Sequence, residues 1–153
     1  MIFYITPEQA EHTHRKTIEY SGGGNYDVIN IGYLLSALEL IQIDDYYPTF
    51  EDKLVHLIWS INRNHAYSDG NKRLSITLGV QFLSFNGYLF CIERFLHEME
   101  NISYHLAAGR IEKELLAELV HSFLMNEEDF CEELKFKLLL AIDNQGIGFD
   151  ENI

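Results

Sequence analysis

His65-Ala66-Tyr67-Ser68-Asp69-Gly70-Asn71-Lys72-Arg73 joins two stretches whose apolar residues recur at helical spacing. Upstream, Leu54, Leu57, Ile58 and Ile61 make one stripe, behind a Thr49 suited to capping a helix whose first turn carries Glu51 and Asp52. Downstream, Leu74, Leu78, Phe82 and Phe85 make another, which stops at Asn86-Gly87. The run is therefore read as the loop of a helix-loop-helix junction.

The same reading carried outward gives more helices. Thr6-Pro7-Glu8-Gln9 sets an N-cap Thr before Pro at the first helical position, with Gln three residues after the cap, so a helix is expected from there to about Tyr20, before Gly22-Gly23-Gly24. A second is expected over 29–40, with Leu34, Leu35, Leu38 and Ile41 on one side, and others near 95–107, 112–125 and 127–142, followed by a frayed tail. Ile41-Gln42-Ile43-Asp44-Asp45-Tyr46-Tyr47 alternates briefly before Pro48 and fits a loop or a small hairpin. The fold class is all-α.

A chain of 153 residues suits one domain. Its formal charge of -13 excludes a broad grip on nucleic acid backbones or anionic membranes, which needs clustered Lys and Arg. A small anion needs only local positive potential, which the pair Lys72-Arg73 supplies. No stretch has the run of apolar residues that a membrane span needs, and the start Met1-Ile2-Phe3-Tyr4-Ile5 lacks the pattern of a signal peptide. Cys91 and Cys131 lack metal-type spacing, so a reduced, cytoplasmic protein is expected.

The junction itself has the parts of a phosphate site. At the start of its second helix, N–H groups around 70–73 have no acceptor one turn earlier and carry partial positive charge. Gly70 allows close backbone approach, and Lys72 and Arg73 add full charges. Asp69 fits beside an anion when a divalent cation such as Mg²⁺ bridges the two. His65, four positions before Asp69, exchanges a proton near neutral pH and suits a general base. The residues alone leave a second reading open, an interhelical turn in which His65 and Asp69 are caps and the cations are solvated.

Other histidines carry less. His97-Glu98 starts like a zinc-protease signature, but Asn101 stands where its second His would be. His12 and His14 lie two apart on a helix, face different sides and are read as surface histidines, while Trp59 and Tyr67 are read as core aromatics.

From His65 to Arg73 the sequence resembles the Fic/Doc motif, H-x-F-x-[D/E]-[G/A]-N-[G/K]-R, with Tyr67 in place of Phe. The resemblance extends to Ile5-Thr6-Pro7-Glu8, Tyr46-Tyr47-Pro48-Thr49-Phe50-Glu51-Asp52-Lys53, Phe82-Leu83-Ser84-Phe85-Asn86-Gly87 and Ala107-Ala108-Gly109, in the order of Doc-type proteins. It implies a Fic/Doc domain over 1–125, a compact Fic-fold helical bundle with a small β-hairpin flap, and leaves 126–153 as a C-terminal helical extension. By resemblance, His65 is the catalytic base, Asp69 holds Mg²⁺, and Gly70, Asn71, Lys72 and Arg73 bind the phosphates of ATP. The flap falls on Ile41, Gln42, Ile43 and Asp44 and would align a protein substrate by backbone pairing.

The adenylylating form of the motif has Gly where Lys72 stands and a second Arg where Ile76 stands. Both departures resemble the Doc branch, which transfers the γ-phosphate of ATP to a protein hydroxyl. The resemblance thus implies a protein phosphotransferase, with AMP transfer and a non-catalytic protein-binding module as the alternatives. Doc proteins are toxins that modify elongation factor Tu and are silenced by an antitoxin. Self-inhibiting relatives carry [S/T]-x-x-x-E-[G/N], whose ending matches Glu151-Asn152 but whose start meets Ile147, so an inhibitory partner in trans is expected.

Overall fold

The structure, a computed structural model, describes residues 1–20, 31–63 and 70–150, with side chains as far as Asp143. These residues form seven α-helices: α1 (Pro7–Tyr20), α2 (Ile31–Leu40), α3 (Phe50–Arg63), α4 (Asn71–Phe85), α5 (Ile92–Ala107), α6 (Lys113–Leu124) and α7 (Glu132–Asp150), with a 3₁₀ turn at Leu89–Cys91. Local chemistry sets their ends. Thr6 and Gln9 cap α1 reciprocally, each side chain accepting from the other's backbone N–H at 2.9 and 3.2 Å. Thr49 and Asp52 do the same for α3 at 3.3 and 3.0 Å. Gly87, at φ 84°, closes α4, with the Tyr88 N–H donating to Leu83 O at 2.9 Å and the Gly87 N–H to Ser84 O at 3.3 Å.

Helix α3 is central, packed against α2, α4, α5 and α6. Its Leu54, Leu57, Ile58 and Ile61 are all buried, and removing such a side chain from water contributes about 1.5–3 kcal/mol. Leu74, Leu78 and Phe82 of α4, Phe95 of α5 and Phe123 of α6 complete the core. At Gly79, α4 lies so close to α5 that an added Cβ would meet Phe95 Cζ at 2.7 Å. Asn86 ties the N-terminal segment to this bundle by accepting from the Phe3 N–H at 2.8 Å and donating to Phe3 O at 2.9 Å.

The hairpin expected over Ile41, Gln42, Ile43 and Asp44 is not formed. Among the described residues there is no β-strand, and this segment is a succession of turns in which the Ile43 N–H bonds Leu40 O at 3.0 Å and the Tyr47 N–H bonds Ile43 O at 3.0 Å. Ile41 is buried whereas Ile43 is 41% exposed, so the alternation does not mark one sheet face. The organising group is Lys53. Wholly buried, it donates from Nζ to Ile41 O at 2.7 Å and to Asp44 Oδ1 at 2.8 Å, curling the segment over the start of α3. Burial pulls the lysine pKa down, but hydrogen bonds to Asp44 and Tyr4 outweigh it and leave the ammonium above its ordinary value.

Two boundaries also differ from expectation. Asn126, at φ 55°, ends α6 and delays α7 to Glu132, where the Lys135 N–H first bonds Cys131 O at 2.9 Å. Helix α7 then continues through Gly146 and Gly148 to Asp150; each glycine costs about 1 kcal/mol but, unlike proline, keeps its N–H in the ladder. Phe130 and Leu134 are buried against the core, while Phe136 and Leu139 are exposed.

Replacing Lys53 with Met keeps the aliphatic stem and strands the Ile41 carbonyl. The Lys53→Met variant is expected to lose about 1–3 kcal/mol in urea unfolding; a midpoint equal to that of the wild type would show that the turn does not depend on the ammonium.

Candidate active site

Gly70 sits immediately before α4 in the left-handed region, at φ 83° and ψ 9°. Beyond it the first intrahelical bond runs from the Leu74 N–H to Gly70 O at 2.8 Å, so the N–H groups of the first turn have no acceptor within the helix. Space as well as conformation selects glycine. A Cβ here would meet Ile18 Cδ1 at 2.9 Å and His14 Nε2 at 3.5 Å, both from α1. The backbone therefore turns into α4 pressed directly onto α1, leaving the positive end of a fifteen-residue helix at the junction.

Lys72 and Arg73 are both exposed, but they diverge because successive helical residues point about 100° apart. Lys72 leans toward α5, its Nζ 5.6 Å from the centre of the Tyr104 ring, which the Arg110 guanidinium also faces at 5.7 Å. Arg73 and Ile76 line a groove of about 720 Å³ whose other wall, from α1, carries Lys16 and Thr17. Positive charge thus flanks the helix start on two sides. Arg63, the last residue of α3, stacks over Trp59 at 4.6 Å and adds a third cation near the loop.

Beneath the turn lies a polar network that the sequence motifs do not show. Asn62, 1% exposed, donates from Nδ2 to Ser75 Oγ at 3.4 Å and to Ser103 O at 3.2 Å, and Ser75 Oγ donates to Lys72 O at 2.6 Å. This chain links α3, α5 and the first turn of α4. The Asn62 Oδ1 atom is buried and has no hydrogen-bond partner among the described residues. Its position was a readable signal, since residue 62 continues the buried register of Leu54 and Ile58 with a polar side chain.

His14 corrects an expectation. It is 1% exposed and occupies the buried stripe of Ala10 and Ile18, because the face of α1 that carries it covers the start of α4. His65, Tyr67 and Asp69 lie outside the described residues, so of the motif's phosphate-chemistry set the structure describes Gly70, Asn71, Lys72 and Arg73. Among the described residues no group of three or more His, Cys, Asp and Glu is placed to hold a metal ion. A nucleotide-bound Mg²⁺ needs only one or two protein carboxylates, since phosphates and water fill its remaining positions.

The remaining titratable clusters lie elsewhere. His56 stacks on Tyr47 at 4.3 Å, lies 3.0 Å from Ser60 Oγ through Nε2 and accepts from Lys113 Nζ through Nδ1 at 3.0 Å. Burial, and then the Lys113 charge, lower its pKa to about 4. The folded state therefore binds fewer protons at this site than the unfolded chain. That contribution is complete above about pH 6.5 and is lost as pH falls toward 4. His121 pairs with Glu51 at 2.6 Å on the surface.

Two outcomes follow from these geometries. Gly70→Ala, strained by about 1–2 kcal/mol in the left-handed region and crowding the tip of the Ile18 side chain, should lower stability by about that amount in urea unfolding; an unchanged midpoint would mean the turn tolerates a side chain. Between pH 7 and 4.5 the wild type should lose about 1–3 kcal/mol more stability than His56→Phe, which keeps the stack on Tyr47 without the proton. Parallel denaturation midpoints for the two proteins would contradict the assignment.

Known proteins resemble the part of this arrangement that α1 to α4 contribute. The matching family model, that of the Fic/DOC family, covers residues 4–83, from the segment before α1 into the last turn of α4. Toxin Doc of Mycolicibacterium smegmatis is 39% identical over 69 residues, which are 42% of this chain and 53% of that protein. The chain thus spans about half the length of the curated relative it matches. With more than half of its residues inside the family model and the junction's turn built as described, the chain belongs to the Fic/DOC family.

Proposed function

We propose that the chain is a Fic/Doc transferase that moves the γ-phosphate of ATP onto a hydroxyl of a target protein. The observation that carries this reading is the first turn of α4, with Gly70 in the left-handed region, the positive end of the helix dipole and cations on both flanks, directly after the His65–Asp69 stretch in sequence. In this reading the turn binds and orients the phosphates, with Arg73 and Asn71 on their oxygens and Lys72 on the flank toward α5. His65 accepts the proton of the target hydroxyl, whose oxygen forms a bond to the γ-phosphorus as ADP leaves. Asp69 would hold Mg²⁺, which when bound neutralises phosphate charge.

Lys72 and Ile76 support transfer of phosphate over transfer of AMP. The groove beside Arg73 is lined at position 76 by an aliphatic side chain, where the adenylylating motif supplies a second guanidinium. The name of the mycobacterial relative supports a toxin, with an antitoxin as partner and elongation factor Tu as the first target to test. A protein that works on such a factor would act in the cytoplasm. No described helix is long and apolar enough to cross a membrane. Residues 126–153 are proposed to flank the Fic/Doc domain as a helical extension, with Arg94 stacked over Phe130 at 4.6 Å as one of its anchors.

The reading is tested by incubating wild type and His65→Ala with cell extract, or with purified elongation factor Tu, and ATP labelled at the α or the γ position. A protein band labelled from γ alone, and absent with His65→Ala, is the expected outcome. Label from α would turn the assignment to AMP transfer, and no label from either would leave a non-catalytic binding module.

A further inference from the structure

We propose that His14 is a positioning residue for the phosphate-binding turn, holding Gly70 and the start of α4 in register from α1; the inference rests on the phosphotransfer reading above. His14 belongs to neither the motif nor the groove, yet it is buried in an otherwise apolar register. The Ala10 side of that register is 0% exposed and the Ile18 side 2%. Burying an imidazole there costs free energy unless its nitrogens are partnered, and an aliphatic residue would fill the volume more cheaply. The ring's location explains its presence. Nε2 lies 3.5 Å from the point where a Cβ on Gly70 would be, so the imidazole abuts the backbone at the position where the loop becomes helix.

The ring also stands on a fixed base. On either side of His14, α1 is joined to α4 by polar pairs, Thr13 Oγ1 to Gln81 Oε1 at 2.9 Å and Thr17 Oγ1 to Thr77 Oγ1 at 3.4 Å. Sliding α1 along α4 would break both pairs, so the imidazole is presented to Gly70 at one height. A neutral imidazole both donates and accepts, which suits a place where backbone N–H and C=O groups leave one regular element for another. Small displacements of such a turn matter, because misplacing a reacting group by about 1 Å costs up to about a hundredfold in rate.

The test compares His14→Gln, whose terminal amide reaches where Nε2 sits, with His14→Asn, which stops short of it, and His14→Leu, which fills the volume without polarity. Each is assayed for Mg-ATP affinity by calorimetry, for kcat and KM in the labelling assay, and for melting temperature. His14→Gln should stay within about threefold of wild type, while Asn and Leu lose roughly tenfold in affinity and tenfold to a hundredfold in kcat at similar melting temperatures. Lys53→Met, which strands the Ile41 carbonyl near the start of α3 and leaves the α1–α4 contact intact, should lower the melting temperature without that loss of affinity. The proposal is overturned if Asn and Leu both bind ATP as the wild type does, or if all three variants lose activity only in step with melting temperature. A wild type that neither binds nor turns over ATP would instead remove the phosphotransfer reading, and this inference with it.

Discussion

A helix enclosed on four sides cannot carry chemistry along its length, and this constraint on α3 organises the protein. Its apolar stripe is buried against α2, α4, α5 and α6, and its buried polar side chains are turned to structural work: Lys53 gathers the preceding turns and Asn62 reaches under the next helix. What α3 can offer outward is its end. The motif follows that end in sequence and α4 begins within it, so its described residues, Gly70 to Arg73, stand at the start of a helix that is itself packed on α3.

The start of α4 gains its character from that confinement. A helix N-terminus attracts anions weakly, by about 0.3–1 kcal/mol when exposed. Here it is rigid from below through Ser75 and Asn62, pressed from α1 by Ile18 and His14, and flanked by Lys72 on one side and Arg73 on the other. In a chain of net charge -13, such a local concentration of cations sets this helix start apart from the acidic average of the molecule.

Much of this was legible in the sequence because it is local. The caps at Thr6 and Thr49 and the stripes of α3 and α4 follow from spacing alone, and the structure forms them. The turns that replace the expected hairpin over 41–44 were not legible, because what decides that segment is a lysine twelve residues after Ile41 whose burial no pattern announces. His14 read as a surface residue for a similar reason: a polar side chain in an apolar register looks like an error in the stripe until the packing of α1 on α4 is known. Lys72 and Arg73 read as one cationic pair because adjacency in sequence hides their divergence around a helix. Tyr104 and Arg110, which share the flank of Lys72, carry no motif and are brought there by the packing of α5 on α4.

The contact between Gly70 and His14 joins positions fifty-six residues apart, so the turn into α4 acquires its final shape only when a long stretch of chain has closed on itself. Closure of that length pays its entropy before any local reward arrives. Helices α3 and α4 can form early from their own spacing and caps, but the backbone at Gly70 meets its α1 neighbours only when α1 docks. The final geometry of the α4 start is then a late property of folding, gained together with the packed α1–α4 interface.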